Sequence, residues 1–327
     1  MTRARVARRR LAGFWPRGLA LLVLTALSGC RGVDVPRVVD VANEEPATHE
    51  TFVAPERDRA FYAKLALDPT HLPEGTNALE LTLDLQRWIG DPDPQRRDEF
   101  AYGLPAVWIR RGLVPEAELA KLVDRWRANL QVGVGETSGR GVLARSFSAL
   151  ALDSALSRET RRPFLGERAM QAVCLDLVRY LERERDLRDW DPTLGWIHAT
   201  AHTADALARC VRHPAIDDAM RRRIVDAIEA KLAVVDHVFT FGENRRLALV
   251  LAAIVERDDG DVTPITAWRA GLSEREARLW SVPKLDPKLF ARVENETQVF
   301  ESLLAAIAPL PPDHPRAALV RVACAPH

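Results

Sequence analysis

The segment Gly195-Trp196-Ile197-His198-Ala199-Thr200-Ala201-His202-Thr203-Ala204-Asp205-Ala206-Leu207-Ala208-Arg209 decides how the chain is read. Wound at about 100° per residue, Ile197, Ala201, Ala204 and Ala208 form one seam of mostly small side chains. Small side chains let two helix axes approach closely, so the seam predicts a helix packed tightly on a neighbour. About a quarter-turn away, His198, His202 and Asp205 fall within about 60° of one another, and Arg209 continues the stripe. This polar stripe borders the helix contact and is partly shielded from water.

Working outward, apolar residues recur at three- and four-residue intervals, while alternating runs bounded by hairpin signals are missing. The spacing predicts helices over 56–66, 77–89, 95–111, 115–130, 140–156, 165–185, 194–211, 215–233, 242–257, 262–270, 273–281 and 286–307. Pro94, Pro115 and Pro264 stand near starts, Gly112 follows an end, and His213-Pro214 breaks the Ala-rich helix. Short links between amphipathic helices favour antiparallel neighbours. The expected fold is all-α: stacked antiparallel helix hairpins in an irregular, solenoid-like α/α superhelix, a single domain over 56–327. No repeat recurs at a fixed period. Trp88, Trp108, Trp126, Trp196, Trp268 and Trp280 fall at apolar helical positions and are expected in the core.

The N-terminus reads as an address. A basic stretch to Arg10 precedes an apolar run, Leu19 to Leu27, too short for the roughly 20 residues of a permanent span. Leu27-Ser28-Gly29-Cys30 resembles a bacterial lipobox. Residues 1–29 are thus expected to be a lipoprotein signal peptide, Cys30 the lipidation site, and 30–55 a flexible tether. The implied location is exported and membrane-anchored, in the bacterial cell envelope. The chain has 46 basic and 46 acidic residues, but six arginines and no acid precede Cys30. The remainder carries 40 basic against 46 acidic residues, a net −6. That balance gives no cationic footprint for nucleic acid. Without Cys30, Cys174, Cys210 and Cys324 remain; an odd number is no disulfide framework, and Cys174 and Cys210 read as buried small hydrophobes.

Two imidazoles one helical turn apart can converge on one metal ion, with Asp205 as a third ligand, so His198, His202 and Asp205 are candidate ligands for a divalent metal such as zinc. The zinc-protease pattern is missing, because no Glu follows His198. The alternative is structural: each ring donates to a carboxylate or carbonyl in a buried polar network. Upstream, Glu182, Glu184, Asp186, Asp189 and Asp191 alternate with arginines and read as a solvated helix end, though the link from Asp186 to Leu194 is short enough to place an acid near His198. Downstream, Glu243, Arg245 and Arg246 open another helix, where a carboxylate favours the helix dipole. A phosphate loop and the Gly-x-Ser-x-Gly elbow are both missing.

Arg145-Ser146-Phe147-Ser148-Ala149-Leu150, the acidic stretch Glu184 to Asp189, the segment Gly195 to Asp205 and Glu243-Asn244-Arg245-Arg246-Leu247-Ala248 resemble, in this order, a bacterial family known as domain of unknown function 2785. The resemblance implies a helical protein and no particular reaction. Asn244 stands where that family carries an acid, and Arg188-Asp189-Trp190-Asp191 replaces its Arg-Gly run.

Two function classes follow. The favoured one is a lipid-anchored interaction or scaffold protein, bound to the membrane through Cys30 and to an envelope protein partner through a groove. The alternative is a metal-dependent or acid/base, hydrolase-like enzyme using His198, His202 and Asp205, with Glu243 as base and Arg246 as anion holder. Clustering of Asp189, His198, His202, Asp205, Glu243 and Arg246 around one concave pocket would reverse that preference.

Overall fold

In a computed structural model, residues 56–281 and 283–325 are described. The expected signal peptide, Cys30 and the tether lie outside them. Among the described residues, twelve α-helices run in chain order: α1 (Arg59–Ala66), α2 (Ala78–Leu85), α3 (Leu104–Arg110), α4 (Glu116–Asn129), α5 (Gly141–Arg161), α6 (Glu167–Arg183), α7 (Ala199–Arg212), α8 (Asp218–Val234), α9 (Glu243–Val255), α10 (Thr263–Ser281), α11 (Pro287–Ile307) and α12 (Pro315–Ala323). Among the described residues, no helix is long and apolar enough to cross a membrane.

The helices form two layers. α3, α5, α7, α9 and α11 pack in succession along one, and α4, α6, α8, α10 and α12 along the other, with α4, α6, α8 and α10 each against the odd helix that follows and α12 against α11. The chain is therefore all-α, built as successive helix pairs. The small-residue seam explains the centre of the first layer. Ala201 and Ala204 are fully buried, and α7 packs against α5 on one side and α9 on the other. Cys174 and Cys210 are buried, free thiols, as the apolar pattern around them indicates.

Several expectations need correction. The helix expected over 194–211 starts only at Ala199, because Trp190–Asp191 and Gly195–Trp196 pair as a two-residue antiparallel ladder. Asp191 Oδ1 accepts the N–H groups of Thr193 and Leu194, closing that turn, and Gly195 has φ +70° with a Pro94 carbon 3.0 Å from where a Cβ would stand. The segments expected over 262–270 and 273–281 are one helix, Gly271 being tolerated in its interior. α12 was not expected, although His314 caps it and Pro315 opens it. Trp108, Trp126 and Trp268 are core residues, whereas Trp196 and Trp280 are exposed. Glu184 and Asp186 are buried in place of the expected solvated helix end.

Ahead of α3 the backbone makes a π-helical stretch, Gln95–Gly103, which turns the Arg97 side chain inward until none of it is exposed. Such wide turns are rare and often sit beside functional sites.

Candidate active site

The link from α6 to α7 and the link from α8 to α9 meet at one end of the layers, and the residues that carry chemistry lie on them. The first link is pinned at several points. Arg145 of α5 grips both oxygens of Glu184, at 2.6 and 3.2 Å, while Glu184 Oε1 also accepts the backbone N–H groups of Arg185 and Asp186. Lys231 Nζ donates to the Glu184 carbonyl at 2.5 Å. Arg188 binds Asp186 through Nε and Nη2, at 2.8 and 2.5 Å. Arg97 reaches across from the π-helical stretch and donates to the carbonyls of Leu194 (2.7 Å) and Trp196 (3.2 Å), its guanidinium lying over Phe147. Buried charges so fully engaged fix geometry more surely than they add net stability.

This frame presents Asp189, whose carbonyl accepts the N–H groups of both Ile197 and His198. His198 follows with φ 48° and ψ 32°, and it is the one non-glycine residue at positive φ among the described residues. A left-handed residue with a full side chain costs about 1–2 kcal/mol and persists only where its surroundings enforce it. The conformation sets His198 Nε2 3.0 Å from Glu243 Oε1, in a contact not aligned as a hydrogen bond. Trp196 lies over the His198 ring, and Phe241 meets Trp196 edge-on.

Glu243 is fully buried in the first turn of α9, with Oε2 accepting the Phe241 N–H. Burial alone would push it up. The His198 ring, a backbone N–H and Asp189 outweigh that and hold it below the ordinary carboxylate value. Asp189 responds in the opposite direction. Burial first, then the charge of Glu243 and a hydrogen bond to it, push Asp189 up to about 8. Two adjacent carboxyl groups cannot both ionise cheaply, so they share one proton, with Asp189 as its holder. His237 Nε2 lies 3.9 Å from Asp189 Oδ2. Asp189, His237, Trp190 and Phe241 then line a cleft of about 520 Å³ together with Arg185 and Arg188.

His202 and Asp205 belong to the adjoining helix contact. Ser146 Oγ donates its single proton to the Ile197 carbonyl, so toward His202 Nδ1, 2.8 Å away, it accepts. His202 is neutral with the proton on Nδ1, since burial and then His198 and Arg246 hold its pKa well below the ordinary value. Asp205 pairs with Arg246. Burial still pushes Asp205 up to about 6 against that partner.

The structure thus joins Asp189, His198 and Glu243, sets the His202 ring 5.7 Å from that of His198, and places Asp205 and Arg246 in a pair of their own. Among the described residues, no group of three or more His, Cys, Asp or Glu is placed to hold a metal ion. His198 leaves the helical stripe because α7 begins after it, and Arg246 is occupied by Asp205. Sequence reasoning missed His237, Ser146 as the partner of His202, and Arg97. His237-Val238-Phe239 offers no pattern, and Arg97 lies nearly 100 residues from the carbonyls it binds.

Residues 130–305 match a family described as protein of unknown function, DUF2785. The chain belongs to the DUF2785 family. The DUF2785 span contains Ser146, Asp189, His198, Glu243 and His237 and leaves out Arg97. No curated protein and no solved structure matches the chain.

Proposed function

We propose that the Asp189 cleft is the active site of an acid/base, hydrolase-like enzyme in which Asp189 gives and retakes a proton. The observation that carries this reading is the Asp189–Glu243 pair: two carboxyl groups driven apart in pKa, one buried beneath a strained histidine and the other on the wall of an open cleft. Strain, burial and an unaligned polar contact are tolerated together where a site has work to do. Asp189 holds its proton at neutral pH and is poised to give it to the leaving oxygen of a substrate. Once ionised it faces the charge of Glu243, which favours taking a proton back from an attacking water. The bond to the leaving group breaks, the bond to water oxygen forms, and the net change is hydrolysis with no proton gained or lost by the protein.

This reading replaces the scaffold preference on narrower ground than a clustering of all six candidates: Asp189 alone of them lines the cleft, while His198 and Glu243 are buried beside it. The lipobox-like Leu27–Cys30 supports placing this activity on a membrane-anchored protein of the bacterial envelope. The test is a screen of the full chain on chromogenic ester and glycoside substrates beside Asp189→Asn. Turnover that falls about 10²-fold or more in the variant, with its melting temperature kept, is the expected result. Equal turnover in both, or none in the folded wild-type chain across both classes, contradicts it.

A further inference from the structure

We infer that the cleft takes an acidic sugar, a polyhydroxylated ring bearing one carboxylate, with the ring against Trp190 and Phe241 and the carboxylate on Arg185. The inference rests on the catalytic reading of Asp189 and adds the class of substrate to it.

The ring platform comes first. Trp190 and Phe241 line the cleft yet are 47% and 45% exposed. Large aromatic faces held half in water at the wall of a cleft suit a ligand with one apolar face and polar edges. A pyranose has that form, with C–H bonds on its faces and hydroxyls around its rim. Polar groups for the rim stand among the rest of the lining: Thr137, Asp189 and His237 supply donors and acceptors beside the apolar Leu187 and Val234. The cleft volume, about 520 Å³, lies within the range of small-molecule sites.

The charge comes from Arg185. Of the two cleft arginines, Arg188 is neutralised by Asp186 through two nitrogens. Arg185 is anchored differently, with Nη1 donating to the carbonyls of Glu182 (2.7 Å) and Glu184 (3.1 Å). Among the described residues it has no carboxylate partner, and Nε and Nη2 stay open to a ligand. A guanidinium fixed by carbonyls and open on one side is suited to a carboxylate. The acid on the opposite wall, Asp236, is paired with His237 at 3.2 Å.

The test titrates the full chain with methyl glucuronide, methyl glucoside and acetate, reading tryptophan fluorescence, for wild type, Arg185→Gln and Trp190→Ala. Glucuronide is expected to bind about tenfold or more tighter than glucoside. Arg185→Gln should erase that difference, and Trp190→Ala should weaken both sugars. Equal binding of the two sugars, or acetate matching glucuronide, overturns the acidic-sugar assignment. So does no binding by a folded chain in which Asp189 still titrates high, and that outcome leaves the proton-sharing pair standing. Glucuronide binding lost in Arg185→Gln while Asp189 titrates in the ordinary carboxylate range keeps the assignment of ligand and ends the catalytic reading. Circular dichroism of each variant separates lost binding from lost folding.

Discussion

His198 Nε2 stands 3.0 Å from Glu243 Oε1, reached from a left-handed backbone at His198. The contact couples the start of α7 to the start of α9, the two neighbours whose first turns frame the site. Strain and pairing can be separated by substitution. His198→Gly relieves about 1 kcal/mol of backbone strain while losing the ring, whereas His198→Val keeps the strain, adds a β-branched side chain and loses the ring as well. Urea melts are expected to rank stability as Gly above Val. The reverse order would mean that the left-handed conformation is not enforced.

Glu243→Gln removes the charge that Asp189 faces. Its expected effect on Asp189 is a fall in pKa toward, but not down to, the ordinary carboxylate value, since burial is the larger cause of the shift. Burying an amide beside His198 in place of a carboxylate should also cost about 2–4 kcal/mol in chemical denaturation. An unchanged Asp189 titration would show that the two carboxyl groups do not interact.

Stability should depend on pH in a signed way. Asp98 and Asp205, raised to about 6, and Asp189, raised to about 8, bind protons more tightly folded than unfolded. Their contribution is present in full below their unfolded pKa values and declines from about pH 4, to pH 6 for the first two and to pH 8 for Asp189. Lys231 is buried and lowered to about 7, so its folded state holds its proton less tightly; its penalty is complete below pH 7 and is relieved toward pH 10.5. Melts from pH 4 to 10 should therefore show a fall and then a rise, and Lys231→Met should abolish the rise.

Much of this was legible. Ala201, Ala204 and Ala208 announce a close helix contact, and Pro94, Pro115 and Pro264 mark helix starts at which the structure agrees within a few residues. His198 was readable as a candidate from its one-turn spacing to His202, Asp189 from the short link that precedes His198, and Glu243 from its place in the first turn of an expected helix. What could not be read was long-range. Helical periodicity carries His198 into the helix, and only the pairing of Trp190 with Trp196, backed by Arg97 from the far side, stops it at Ala199. Glu184 looked like a surface acid because its buried partner, Arg145, lies 39 positions away.

Arg97→Met should release the loop that carries the site. It strips three backbone carbonyls, those of Asp91, Leu194 and Trp196, of a buried donor and leaves Asp98 unpaired. The expected loss is about 3 kcal/mol or more, with faster hydrogen exchange across 189–198 than across α7. Uniform exchange changes throughout the chain would assign Arg97 a global role.

Ser146→Ala leaves the His202 Nδ1–H without an acceptor, at an expected cost of about 1–3 kcal/mol. Nitrogen NMR should show His202 neutral with the proton on Nδ1 in the wild type and a mixture of tautomers in the variant. A His202 that carries its proton on Nε2 in the wild type would reverse the direction assigned to the Ser146 bond.

The most direct measurement is the titration of the Asp189 side-chain carboxyl carbon by NMR in the full chain, assigned with Asp189→Asn. A midpoint near 8, displaced downward in Glu243→Gln, is the predicted result. A midpoint in the ordinary carboxylate range, unmoved by that substitution, would contradict the shared proton on which the proposed activity stands.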